Sequence, residues 1–105
     1  MYRSYVDQFS ILTELHGWTD VTDQHHFRAA TEALAYNQTI KNIYLSYNNI
    51  GFEGAFEGAK ALAQTLEKNS TIRTIFLGSN DIGSDGAKVL AKALEKNSTI
   101  TEINL

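Results

Sequence analysis

The sequence predicts an α/β repeat protein, a short stack of strand–helix units with a parallel sheet on one surface and parallel helices on the other. Three observations predict it. The string Asn-x-Thr-Ile occurs at Asn37, Asn69 and Asn97. Each occurrence opens the same apolar rhythm: Ile40, Ile43, Leu45, Asn48, Ile50; then Ile72, Ile75, Leu77, Asn80, Ile82; then Ile100, Ile103, Leu105. Each full unit then runs into an Ala- and Leu-rich stretch with three- and four-residue spacings, the mark of a one-sided helix. One strand and one helix bury little alone, so side-by-side stacking is what gives such units a shared core.

Taken in order, the first unit is degenerate. Counting back from Asn37 by the 28 residues that separate Asn69 from Asn97 lands on Phe9. Leu12, Leu15 and Asp20 then fall where Ile40, Ile43 and Asn48 fall, but Gly17 and Thr22 stand where Leu and Ile are expected. FRAATEALAYN, 27–37, supplies its helix. Terminal repeats of a stack meet water on one side and are atypical for that reason. The 105 residues therefore read as a single domain: a capping repeat over 1–36, full repeats over 37–68 and 69–96, and an incomplete repeat over 97–105.

The strands follow from short β-branched alternation, with Ile and Leu inward. The helices follow from Ala59, Leu62, Ala63 and Leu66, and from Ala87, Leu90, Ala91 and Leu94, each set on one face. The small Ala side chains let helix and strand lie close, and Gly58 and Gly86 near the helix starts suit a close approach. The helices are expected to end near Asn69 and Asn97, because Asn tolerates the left-handed cap position. The first spacing, Asn37 to Asn69, is 32 residues rather than 28. The extra residues lie in GFEGAFEGA and predict a helix one turn longer, with its apolar stripe still in phase.

On these residues the chain resembles leucine-rich repeat proteins. It is most similar to the long-repeat class of the ribonuclease inhibitor and the nucleotide-binding innate immune receptors. The motif L-x-x-L-x-L-x-x-N-x-I/L is met by residues 40–50 and 72–82, with Ile replacing several Leu, and NSTI, SNDIG and DGAKVLAKAL are phrases of the same kind. The resemblance is strong over 37–105 and weak over 1–36. It implies a short horseshoe segment with strands on the concave face and helices on the convex face. It implies that Asn48 and Asn80 bond backbone groups inside the turns. Asp20 takes that place in the first unit, where a carboxylate accepts but does not donate. It also implies binding of other proteins by the concave strand face.

With Ile75 and Leu77 inward, alternation turns Thr74, Phe76 and Gly78 outward. The matching positions are Asn42, Tyr44 and Ser46, then Glu14, His16 and Trp18, then Glu102 and Asn104. Stacking lines up His16, Tyr44, Phe76 and Asn104 as one column, with Tyr47 and Ser79 where the strands end. Three readings stay open. The column binds a protein partner, as aromatic hot spots do; it mediates self-contact; or the rings are simply strand formers stacking on each other. The candidate contact residues are Tyr44, Phe76, His16, Trp18, Tyr47, Asn42, Thr74 and Asn104.

Other chemistries find little support. Nine basic and twelve acidic residues give a net charge of −3, which argues against nucleic acid and against a membrane surface. There is no Cys, so thiol chemistry and Cys-ligated zinc are out. The start, MYRSYVDQ, lacks the pattern of a signal peptide, and no apolar run approaches the ~20 residues of a spanning helix. A cytoplasmic setting is the expectation. His16, His25 and His26 with Asp20 and Asp23 lack zinc-ligand spacing; the Asp pair suits a helix start. The glycines form no phosphate loop, and Ser46, Ser79 and His16 form no triad, so neither an enzyme nor a cofactor is expected. The three Asn-x-Thr strings match the glycosylation pattern, but turn chemistry explains them. Lys88, Lys92 and Lys96 read as a solvated face. The last strand, ITEINL, leaves an edge, and exposed edges are sticky. A structural rival is thus self-association through the ends, for example as a homodimer.

Overall fold

A computed structural model describes residues 1–17, 24–45, 55–78 and 82–104. Strands β1 (Glu14–His16), β2 (Asn42–Tyr44), β3 (Thr74–Phe76) and β4 (Glu102–Asn104) lie side by side in chain order. All three pairings are parallel. The helices α1 (Tyr2–Phe9), α2 (Gln24–Tyr36), α3 (Ala55–Lys68) and α4 (Gly83–Glu95) pack in the same order, each on the next. This is the predicted α/β solenoid segment, with a parallel sheet flanked by parallel helices.

The register follows the repeat. Leu15, Ile43, Ile75 and Ile103 face each other across the sheet as one inward row. Leu15, Ile43 and Ile75 are buried, as are Ile40, Leu45, Ile72 and Leu77 on either side of the row. Helix residues close over them: Phe27, Ala30 and Leu34 from α2, Ala59, Leu62, Ala63 and Leu66 from α3, Leu90 and Ala93 from α4. The inserted residues leave the stripe of α3 in phase. As described, α3 has 14 residues to the 13 of α4; the rest of the expected extra turn falls on 51–54, outside the described residues.

One expectation needs correction. Ala91, expected on the inner face of α4, is exposed, and Ala87 and Leu94 are only half-buried. Their counterparts Ala59, Ala63 and Leu66 are buried because α4 lies against α3; among the described residues no element lies beyond α4. The inner face of α4 is instead Gly86, Leu90 and Ala93. Gly86 is there because a Cβ would stand 2.5 Å from Ile82 Cγ2 and 3.3 Å from Ala59 Cβ. The start of the chain adds an element that the repeat pattern does not address. Residues before Phe9 carry no repeat signature, yet they form α1, which packs on α2 and buries Tyr5 and Phe9 in the core.

The helices end near the anchor asparagines as expected, α3 at Lys68 and α4 at Glu95, but the side chains do more than cap. The cap residue of α4 is Lys96, in the right-handed region at φ −94° and ψ −5°. The Asn side chains work as rungs between units. Asn69 Nδ2 donates to Leu34 O (2.8 Å) and Asn37 O (3.0 Å), and its Oδ1 accepts from the amides of Thr71 and Ile72 at 2.8 Å each. Asn97 repeats this on Leu66 O and Asn69 O, and on the amides of Thr99 and Ile100. Asn37 makes the same inner pair, to Thr39 N and Ile40 N, and reaches back to Phe9 O. The Thr hydroxyls run in parallel: Thr39 to Phe9 O, Thr71 to Ile40 O, Thr99 to Ile72 O. Asn-x-Thr is thus a device that satisfies the backbone where each helix ends and the next strand begins. Asn69, at 4% exposure with both amide hydrogens donated, has no room for a glycan in this fold.

Candidate protein-binding face

The strand positions that face away from the core form two rows in register. Glu14, Asn42, Thr74 and Glu102 make one; His16, Tyr44, Phe76 and Asn104 make the other. Parallel pairing at about 4.8 Å per strand puts successive rings at stacking distance. The rings of His16 and Tyr44 are 4.6 Å apart at 16°, and those of Tyr44 and Phe76 are 5.2 Å apart at 8°. Tyr44 and Phe76 are half-buried, while His16 and Asn104 are exposed. The ring edges, rather than the faces, therefore meet solvent along the middle of the sheet.

Polar contacts fix the first end of the face. His16 Nε2 lies 3.2 Å from Glu14 Oε1, and Asn42 Nδ2 donates to Glu14 Oε2 at 3.1 Å. The His16 ring and then the Asn42 amide hold the Glu14 carboxyl below its ordinary value. These contacts tie β1 to β2 on the outer surface as the Asn rungs do inside. Trp18 and Tyr47, with the turn residues Asp20, Asn48 and Asn80, lie outside the described residues. Lys41 and Arg73, which the sequence reading did not single out, are exposed immediately before β2 and β3.

On the helix surface, a groove of about 440 Å³ separates α2 from α3, lined by Arg28, Glu32, Glu57, Lys60 and Lys68 among others. Its charges are of both signs, and Glu57 pairs with Lys60 at 3.4 Å. Beneath it, Thr65 Oγ1 donates to Thr31 O at 2.8 Å, a buried tie between the two helices. Of the basic stripe, Lys96 pairs with Glu67 at 3.4 Å. Among the described residues no three His, Asp or Glu side chains are grouped to hold a metal, and no helix is long and apolar enough to cross a membrane.

A family model for the leucine-rich repeat matches residues 36–56 and 68–91. No curated protein matches the chain. Among solved structures, the actin-binding site 2 of leiomodin-1 is 27% identical with a TM-score of 0.79; the match covers 97% of this chain and 57% of that one. This chain thus spans little more than half the length of that structure. The tropomodulin C-terminal domain of Caenorhabditis elegans is 12% identical with a TM-score of 0.61, over 99% of this chain and 81% of that one, a likeness of fold alone. The family model carries the likeness to leucine-rich repeats, and none of these matches singles out the ribonuclease-inhibitor or immune-receptor class. Strand–helix periodicity, register and the family model agree on an α/β solenoid segment similar to leucine-rich repeats, with a parallel sheet flanked by parallel helices.

Proposed function

We propose that this chain binds a protein partner through its strand face, centred on Tyr44 and Phe76, and that actin is that partner. The observation that carries the reading is the in-register stack of His16, Tyr44 and Phe76 on the side of the sheet away from the core. Stacking already holds these rings, so little side-chain entropy is lost when a partner covers them. His16, Asn42, Thr74 and Asn104 complete the proposed contact surface, with Trp18 and Tyr47 proposed at its margin. Actin is supported separately, by 27% identity over nearly the whole chain to a leiomodin-1 actin-binding site. A cytoplasmic location goes with this reading.

The test is co-sedimentation with filamentous actin and fluorescence titration of monomeric actin, comparing the natural chain with a Tyr44→Ala/Phe76→Ala variant of unchanged circular dichroism. Hot-spot truncations cost about 2 kcal/mol or more, so affinity should fall by at least about tenfold. Undiminished binding by the variant would remove the strand face from the interaction. No binding of either actin form by the natural chain would remove actin.

A second reading, self-association through the α4–β4 side of the stack, is favoured by a comparison within the chain. Ala63, Leu66, Ile72 and Ile75 are buried, whereas the equivalent Ala91 is exposed and Leu94, Ile100 and Ile103 are half-buried. Among the described residues β4 also has a single neighbour strand, β3. Light scattering over a wide concentration range separates the cases. A dimeric mass supports this reading, and a constant monomer mass removes it.

A further inference from the structure

We infer that the strand face holds one slot for an arginine side chain of a partner protein, made by the second face of the Phe76 ring, the Glu102 carboxylate and the Asn104 amide. This rests on the strand-face reading above and adds the chemistry of what binds there.

The first unit shows how such a slot is filled. Glu14 and His16 stand two residues apart on β1 and so share the outward side of the sheet. The His16 ring lies on the Tyr44 ring, 4.6 Å away at 16°. Its Nε2 is 3.2 Å from Glu14 Oε1. A flat, nitrogen-bearing group thus stacks on the ring of the next strand, while the carboxylate two residues earlier holds its edge.

The last unit repeats this arrangement with the flat group missing. Glu102 and Asn104 take the register positions of Glu14 and His16, opposite Thr74 and Phe76. Both are exposed and flank the half-buried Ile103, so both face away from the core. Phe76 has the Tyr44 ring on one face, 5.2 Å away at 8°. On the other side its register partner is Asn104, which has no ring. Among the described residues the Glu102 side chain makes no hydrogen bond or ion pair. Glu14, by contrast, is engaged twice, by His16 and by Asn42. The slot above Asn104 lies one strand spacing, about 4.8 Å, from Phe76 and two residues, about 7 Å, from Glu102.

Charge and shape select the occupant. The outward positions of the four strands carry the carboxylates Glu14 and Glu102 and neither Lys nor Arg. The field there favours a cation, and the net charge of −3 has the same sign. Among cations a guanidinium fits best. It is planar, it stacks on an aromatic face, and it presents a fork of N–H donors to a carboxylate. With its plane on Phe76, one edge donates to Glu102 and another to the Asn104 amide oxygen. A lysine ammonium is a compact point charge, which reaches Glu102 without stacking flat on the ring.

The test is a titration of the isotope-labelled chain followed by NMR. The probes are the capped tripeptide acetyl-Gly-Arg-Gly-amide and its Lys counterpart. The proteins are the natural chain, Glu102→Gln and Asn104→His, each with unchanged circular dichroism. The Arg probe should shift the Glu102 backbone amide and the Asn104 side-chain amide saturably. It should bind about threefold or more tightly than the Lys probe, and added salt should weaken it. Glu102→Gln should weaken it about threefold or more. Asn104→His gives the last unit the Glu-x-His pattern of the first, so its own ring should occupy the slot and weaken the Arg probe by a similar factor. Equal binding of the two probes, undiminished binding by either variant, or shifts that do not saturate or that lie away from β3 and β4 would each overturn the inference. The actin experiment with Tyr44→Ala/Phe76→Ala tests the underlying reading separately. Actin binding that depends on those rings, without binding of the Arg probe, removes the slot and leaves the strand-face reading in place.

Discussion

Asn69→Ala is expected to lower stability by about 2–5 kcal/mol, a large share of the ~5–15 kcal/mol that holds a domain together. The residue is 4% exposed, and its side chain makes four hydrogen bonds across two units. The losses are unequal. Leu34 O still accepts from Asn37 N, and Asn37 O from the Thr71 hydroxyl, so both carbonyls keep a partner. The amides of Thr71 and Ile72 lose the acceptor that satisfied them, in a place water does not readily reach. Asn97→Ala removes the same four bonds from a half-buried site, where water replaces part of what is lost. It should cost about 1–2 kcal/mol. Urea unfolding followed by circular dichroism measures both. Equal costs below about 1 kcal/mol would mean that the rungs do not hold the units together.

That pair of variants also shows what the sequence reveals. The strands, their inward residues and the His16–Tyr44–Phe76 column were legible because β alternation and a 28-residue period act on nearest neighbours in the pattern. The anchor string was legible as a repeat mark, but its role was not. Asn69 looks local, as a helix cap, whereas its amide bonds carbonyls 32 and 35 residues away. The exposure of Ala91 was hidden for a related reason. A periodic sequence assigns equal faces to Ala63 and Ala91, but burial depends on whether a neighbour lies alongside. The α1 helix was missed because no Asn-x-Thr-Ile precedes it. Its available signal is the four-residue spacing of Tyr5 and Phe9, which places both on one face.

Phe9→Ala is expected to loosen the first unit as a whole, at a cost of up to about 3–5 kcal/mol. Phe9 stands at the anchor position, where the later units have Asn, and it is 1% exposed. Its ring lies 5.8 Å from that of Tyr5, whose own ring meets His26 edge-on at 6.4 Å. The side chain thus fastens α1 to α2, while its carbonyl receives Asn37 Nδ2 and the Thr39 hydroxyl. One residue holds both the apolar cap and the first rung. In a stack whose stability is the sum of unit and interface terms, an end unit can open alone, which limits the cost to the docking energy of α1. Hydrogen exchange read by mass spectrometry shows how far the opening travels. Faster exchange over 2–9 together with Thr39 and Ile40 would mean that the Phe9 carbonyl anchors the rung built on Asn37. Fast exchange confined to 2–9 would mean that Asn37 keeps the bonds to Thr39 N and Ile40 N unaided, leaving α1 only the task of packing on α2.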